Sequence, residues 1–377
     1  MRKPGSRLFF VDLFRLFAIF LMVQGHVFRA LANDAIQKGL FWRIHETVHG
    51  LTAPLFLFGS GMIFMVVTRG RWDEYRKFGA KTWQRLRRYI YFLVIGYWLH
   101  LPSLSLSKTI RMMNPELLAR MTAVDVLHII SIGLILLHLI CMLLGRPRRA
   151  MWVLLPLGVA CLALAPLVRP LNLPGPSPLV SWLTTQYGSN FTILPWWGYI
   201  LFGACFGILF PESGKLKDER RYIIIAIISG VACFIIGFVV SLMIGRPFGI
   251  GSPNKPEQVL ANIGGVLLVI SIAWLLERVG FAKKIRKAFF LSEETLIVYV
   301  IHLMLLYGSV LSPGIATFIG PTLGMPMLLL VFTLISALTV AFTWGWHWVK
   351  KENLKVLRII QLAMTALFII TYLVSPV

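Results

Sequence analysis

Eleven apolar runs, each close to the length needed to cross a bilayer, follow one another along almost the whole chain. They lie at about 8–30, 46–68, 88–106, 124–144, 151–168, 193–210, 222–244, 257–276, 292–312, 326–346 and 355–375. A helix needs about 20 apolar residues to span the hydrocarbon layer. Within that layer every backbone polar group must find its partner inside the structure, which helices achieve segment by segment. The expected fold class is therefore all-α, a polytopic membrane helical bundle of about 11 transmembrane helices forming one integral-membrane domain over 1–377. Composition agrees: 58% of the 377 residues are hydrophobic and 14% are charged, and the mean hydropathy is +0.78. The longest connections, about 107–123 and 169–192, leave no room for a soluble domain. The first run is too long, and lacks the small-residue cleavage site, to be a removable signal peptide. No internal repeat is visible; the Pro-rich stretch Pro166–Pro178 is the one soft boundary.

The net charge of +22 suggests nucleic acid only until the basic residues are placed. With the N-terminus in the cytoplasm, 27 of the 37 lysines and arginines fall in cytoplasmic segments, 9 on the opposite side, and Arg15 within a span. This is the positive-inside bias, and it sets the orientation N-in. The same charge attracts anionic lipid headgroups, so membrane lipids, and no nucleic acid, are the expected partners. Cys141, Cys161, Cys205 and Cys233 all lie within predicted spans, and their spacing points neither to a disulfide framework nor to a metal site.

Ionisable residues inside spans mark function by default. Arg15 and His26 in the first run are eleven positions apart, close to three helical turns, and so share a face roughly 16 Å apart along the axis. Asp12, three residues before Arg15, is near enough to neutralise it. The orientation places Arg15 toward the cytoplasm and His26, His45, Glu46, His49, Asp125 and His128 at the outer level, with His302 below them in the ninth span. Buried Asp12, Arg15, His26 and His302 could instead form the proton relay of a proton-coupled transporter or lipid flippase, although the repeats common in transporters are not found. His45-Glu46-Thr47-Val48-His49 also matches HExxH, in which two histidines hold zinc and the glutamate is the base of a metalloprotease. A catalytic zinc needs a third protein ligand, and only Asp125 and His128 are available; no metal is expected.

Several segments resemble, in order, those of a known superfamily. Arg15-x10-His26 resembles the Arg-x10-His motif of membrane acyltransferases that decorate surface glycans. His49-Gly-Leu-Thr-Ala-Pro-Leu-Phe-Leu-Phe-Gly-Ser-Gly61 resembles the second span of the heparan-α-glucosaminide N-acetyltransferase-like family. Arg85-Leu-Arg-Arg88 is similar to the Arg-x-x-Arg at the cytoplasmic start of the third span. Val124-Asp-Val-Leu-His128, Leu194-Pro-Trp-Trp-Gly198 and Thr295 to His302 look like later landmarks.

The resemblance implies transfer of an acyl group, expected to be acetyl, from cytosolic acyl-CoA to a glycan or amino-sugar acceptor outside a bacterial inner membrane. Arg15, Arg85 and Arg88 would meet the anionic donor, since arginine offers a forked, permanent charge. His26 would be the general base or the acyl carrier, because imidazole titrates near neutrality. Asp125 would orient it, and His45, His49, His128, Trp196, Trp197 and His302 would face the acceptor. The packing reading is favoured for Gly25, Gly59 and Gly61, and an interfacial aromatic belt explains Trp196 and Trp197 as well as a sugar platform does. The acceptor, the choice between O- and N-transfer and the oligomeric state stay open.

Overall fold

The computed structural model describes residues 7–245 and 255–375; Arg2, Lys3 and Arg246, used in the charge assignment, lie outside them. A helix forms at each of the eleven apolar runs. They are α1 (Phe9–Leu31), α2 (Leu40–Arg69, broken near Gly50), α3 (Ala80–Trp98), α4 (Val126–Leu143), α5 (Pro147–Val168), α6 (Ile193–Leu209), α7 (Leu216–Met243), α8 (Pro256–Arg278), α9 (Thr295–Tyr307), α10 (Met325–Glu352) and α11 (Leu354–Val374). The only strands among the described residues are two residues each. The chain is an all-α membrane bundle, and eight of the described helices are by themselves long and apolar enough to cross a bilayer.

Several elements differ from their expected bounds, α3 and the ninth run among them. α3 starts eight residues early and ends at Trp98, because Lys81, Arg85, Arg87 and Arg88 are carried on its first turns and Pro102 follows its end. The ninth run is broken: a short helix over Phe289–Glu293 meets α9 at Glu294, and the axis bends by 77° across the break. α9 also stops at Tyr307, where Gly308 takes φ +84° and opens a tight hairpin. That turn closes on Gly314, whose position leaves no room for a Cβ beside the Gly308 nitrogen. The connections expected at 107–123 and 169–192 carry short helices, Leu106–Arg111, Pro115–Thr122 and Pro178–Leu183.

Two compact units divide the chain, and the division does not fall at Pro166–Pro178. One unit holds the Thr52–Arg69 half of α2 with α3 to α8. Its helices approach closely through glycine. A Cβ on Gly61 would lie 1.9 Å from the Ile200 carbonyl oxygen, and one on Gly203 would lie 2.0 Å from that of Phe58, so α2 and α6 meet backbone to backbone. Small residues allow such contact where lipid supplies no hydrophobic drive. Arg69 seals the far end of α6, donating to the carbonyls of Gly207, Ile208 and Phe210 and pairing with Glu212 at 3.2 Å. A cation at a helix C-terminus meets both orphan carbonyls and the negative end of the dipole.

The other unit holds α1 from Asp12 onward, the Leu40–His49 half of α2, and everything after Gly280. Here the end of α1 is stitched to the start of α10: Leu323 N–H donates to Leu31 O (2.9 Å), and Asn33 N–H to Leu323 O (3.0 Å). At the opposite end Ser292 Oγ donates to Asp12 Oδ1 (2.8 Å), fixing α1 to the break before α9. Lys350 Nζ donates to Glu294 Oε1 (2.7 Å), tying α10 to the same break.

Candidate active site

His26 lies on α1, half-buried, directly opposite His302 of α9. Their rings stack at 5.2 Å between centroids and 15° between planes, and His26 Nδ1 is 2.9 Å from His302 Nε2. His302 is fully buried, with Nδ1 2.7 Å from the carbonyl oxygen of Val298 one turn earlier. A carbonyl only accepts, so the proton of neutral His302 sits on Nδ1 and its Nε2 carries the lone pair. His26 must then donate from Nδ1, which leaves its Nε2 unprotonated and basic. The tautomers of both rings thus follow from one backbone carbonyl, since the bond made by one ring nitrogen decides the state of the other.

The row continues through two further rings. His49 stands edge-on to His26 at 5.9 Å, and His45 lies parallel to His49 at 5.8 Å with 8° between planes. Gly25 makes room for this, because a Cβ there would sit 1.8 Å from His49 Nδ1. His45 is lodged among Trp42 (4.8 Å), Phe28 (5.4 Å) and Phe41 (6.2 Å). Tyr307 closes the other side of His26, 6.1 Å between ring centroids, with its hydroxyl donating to the His26 carbonyl at 3.4 Å.

His302 was expected below the outer histidines; it lies beside His26 instead. The 77° bend just before α9 is not visible in hydropathy. Tyr307 and the Arg29–Glu46 pair were not anticipated. Arg29 grips Glu46 side-on, Nε donating to Oε1 at 2.8 Å and Nη2 to Oε2. Their spacing of 17 across a loop carries no local signal. That grip bears on the HExxH reading, whose general base is the Glu46 carboxylate. Among the described residues no three His, Cys, Asp or Glu side chains are grouped to hold a metal ion.

Apart from Arg15, the remaining candidates lie in the other unit. Asp125 is the N-cap of α4, and its backbone N–H donates to His128 Nδ1 (3.0 Å) in a reciprocal capping box. His128 is fully buried against Tyr97, 4.1 Å between centroids. The group that meets His26 Nδ1 is therefore His302. Trp196 is buried, donates to Asn190 O (3.0 Å) and packs on Phe191 and Tyr199; Trp197 donates to Gly133 O (3.1 Å). Both indoles fix α6 in its unit. Arg85 donates to Thr68 Oγ1 (2.7 Å) and lies over the Tyr75 ring at 3.5 Å, whereas Arg88 is exposed. Arg15 is half-buried on α1, one turn after Asp12.

A base with a fixed lone pair, set in a membrane bundle, suits transfer chemistry, and the sequence comparison names its kind. Residues 8–346 match the family model of an acyltransferase domain. The chain belongs to this acyltransferase family. It is an integral, multi-pass membrane acyltransferase, which decides among acyl transfer, transport and proteolysis in favour of the first. No curated protein and no solved structure matches the chain.

Proposed function

We propose that this acyltransferase carries an acyl group, expected to be acetyl, from cytosolic acyl-CoA to a hydroxyl or amine of an extracytoplasmic glycan or amino sugar, with His26 as general base. The chain Val298 carbonyl–His302–His26 carries the reading, because it leaves His26 Nε2 as a lone pair facing outward from a fully engaged partner. In the transfer, Nε2 takes the proton of the acceptor as its oxygen or nitrogen attacks the thioester carbonyl. The C–S bond breaks, the thiolate leaves, and the imidazolium returns the proton to give free CoA. His302 accepts from the charged ring at Nδ1 throughout, a charge-assisted bond stronger than its neutral form. His302 is a positioning residue in this scheme, and Asp125, engaged with His128, is not needed for it.

Arg15 and the exposed Arg88 are the donor-side cations of the proposal; Arg85 is committed to Thr68 and Tyr75. The charge bias sets His26 toward the outer face, which supports a cytosolic donor and an external acceptor across a bacterial inner membrane. The His49–Gly61 segment supports the heparan-α-glucosaminide N-acetyltransferase-like branch in particular. The test is direct: purified protein in nanodiscs is given radiolabelled acetyl-CoA and amino-sugar or glycan acceptors. Wild type binds and consumes acetyl-CoA; His26→Ala binds it and transfers nothing. A folded His26→Ala protein with near-wild-type transfer would sink the assignment.

A further inference from the structure

Beside the histidine row lies a groove of about 610 Å³, within the range of about 300–1,000 Å³ common for ligand pockets. Its walls come from α1, the Leu40–His49 half of α2 and the first turns of α10, all in one unit. The lining is apolar and aromatic, led by Phe20, Phe28, Phe41, Val48, Leu329 and Phe332. Phe20, Phe41, Ile44 and Val48 are exposed at its mouth. Gln24 and His45 are its two polar members. Apolar and aromatic walls of this size suit an apolar ligand.

His45 supplies a second, independent observation. It is buried, with 7% of its surface accessible, and neither ring nitrogen has a hydrogen-bond partner among the described residues. Nδ1 stands 3.5 Å from Glu46 Oε1, too far for a good hydrogen bond, and Glu46 is already held by Arg29. A buried ring whose one polar neighbour stands at 3.5 Å is poorly satisfied, and a ligand hydroxyl would complete it.

Depth selects the occupant. Residues 20–28 are the outer half of an outward-running helix, whereas 41–48 and 325–332 begin inward-running ones. All three walls therefore lie in the outer leaflet, across the membrane from a cytosolic donor. We infer that this groove seats the hydrocarbon tail of a lipid-anchored sugar acceptor, with His45 bonding a hydroxyl of the headgroup. The headgroup then reaches His26 along His49, two ring steps of 5.8 and 5.9 Å. The inference rests on the acyltransferase reading above and adds to it the class of acceptor.

The test is photo-crosslinking in nanodiscs with dodecyl glucoside bearing a diazirine at the end of its chain. Adducts are expected within 20–28, 41–48 and 325–332. Excess dodecyl glucoside should suppress them and methyl glucoside should not. Val48→Trp, which fills the groove, should cut labelling at least about tenfold. His45→Phe keeps the ring and removes only the long contact to Glu46, so it should fold well. It should weaken competition by dodecyl glucoside about tenfold while sparing competition by dodecanol, as loss of one hydrogen bond predicts. Equal competition in His45→Phe overturns the role of His45. Labelling by a diazirine phosphatidylcholine of the same peptides, insensitive to dodecyl glucoside, overturns the site as an ordinary lipid annulus. Preferential labelling by a diazirine palmitoyl-CoA overturns it in favour of the donor's chain. Acetyl-CoA binding is measured on the same samples. Its absence alongside specific labelling defeats the acyl-CoA proposal and leaves the tail site standing; its presence without labelling does the reverse.

Discussion

His302 Nε2 meets His26 Nδ1 at 2.9 Å, and because His302 Nδ1 is bound to the Val298 carbonyl, this contact leaves the far nitrogen of His26 basic. Removing His26 should cost the general-base factor, about 10²–10⁴ in turnover, with acyl-CoA binding unchanged. His302→Leu should lower kcat by about 10- to 100-fold and leave KM for acyl-CoA unmoved, as expected of a partner that orients a base without touching the donor. His302→Gln, whose amide oxygen still accepts from His26, should recover part of that loss. Equal kcat in all three variants would remove the dyad from the mechanism.

Gly25→Ala tests the row without changing a titratable group. The new Cβ would sit 1.8 Å from His49 Nδ1, and the His49 ring, being a side chain, can swing away. We expect transfer to fall at least about tenfold while the melting temperature changes little. By contrast, Gly61→Ala meets the backbone of Ile200 at 1.9 Å and has no such escape. Its cost should be about 1–3 kcal/mol, the range for overpacking, read as a lower melting temperature in detergent.

Glu46→Gln weakens a partly exposed ion pair with Arg29, worth no more than about 1 kcal/mol after solvent screening. Activity should therefore survive far better than in His26→Ala, and chelators such as phenanthroline should leave it intact. Stoichiometric zinc in the purified protein, or activity restored by added zinc, would instead revive a metal-centred reading of His45-Glu46-x-x-His49.

The two arginines of α3 should separate. Arg88 is exposed, so Arg88→Ala should weaken acyl-CoA binding slightly, and added salt should erase the difference. Arg85 is bonded to Thr68 and stacked on Tyr75, so Arg85→Ala should chiefly lower thermal stability. Arg15→Ala should weaken binding more than Arg88→Ala because its surroundings are less solvated; Asp12→Asn with Arg15→Ala controls for the stranded carboxylate. Unchanged binding in all of them would leave these cations to topology and folding.

Orientation is checked with membrane-impermeant reagents on intact cells. Single cysteines placed in the Arg69–Arg88 segment should resist labelling from outside, and those in 169–192 should react. The opposite pattern would reverse every depth assigned above.

What the sequence determined by itself was everything set by local composition. Apolar run length gave the helices, because hydrocarbon forces each segment to satisfy its own backbone. The sorting of lysine and arginine gave an expected direction, which the labelling above tests. Helical spacing put Arg15 and His26 on one face of α1, and the order of weak motifs pointed to acyl transfer, which the match over residues 8–346 bears out at the level of the family. Tertiary structure alone decided which groups touch. His26 and His302 are 276 positions apart, so no periodicity links them. Trp196, from the sequence a sugar platform or an interfacial ring, is buried; Asp125, expected to orient His26, caps α4. Hydropathy shows neither the break at Glu294 nor the ring that His302 meets. Local sequence fixes what each helix presents, whereas packing chooses its partner, and the basicity of His26 Nε2 depends on that partner.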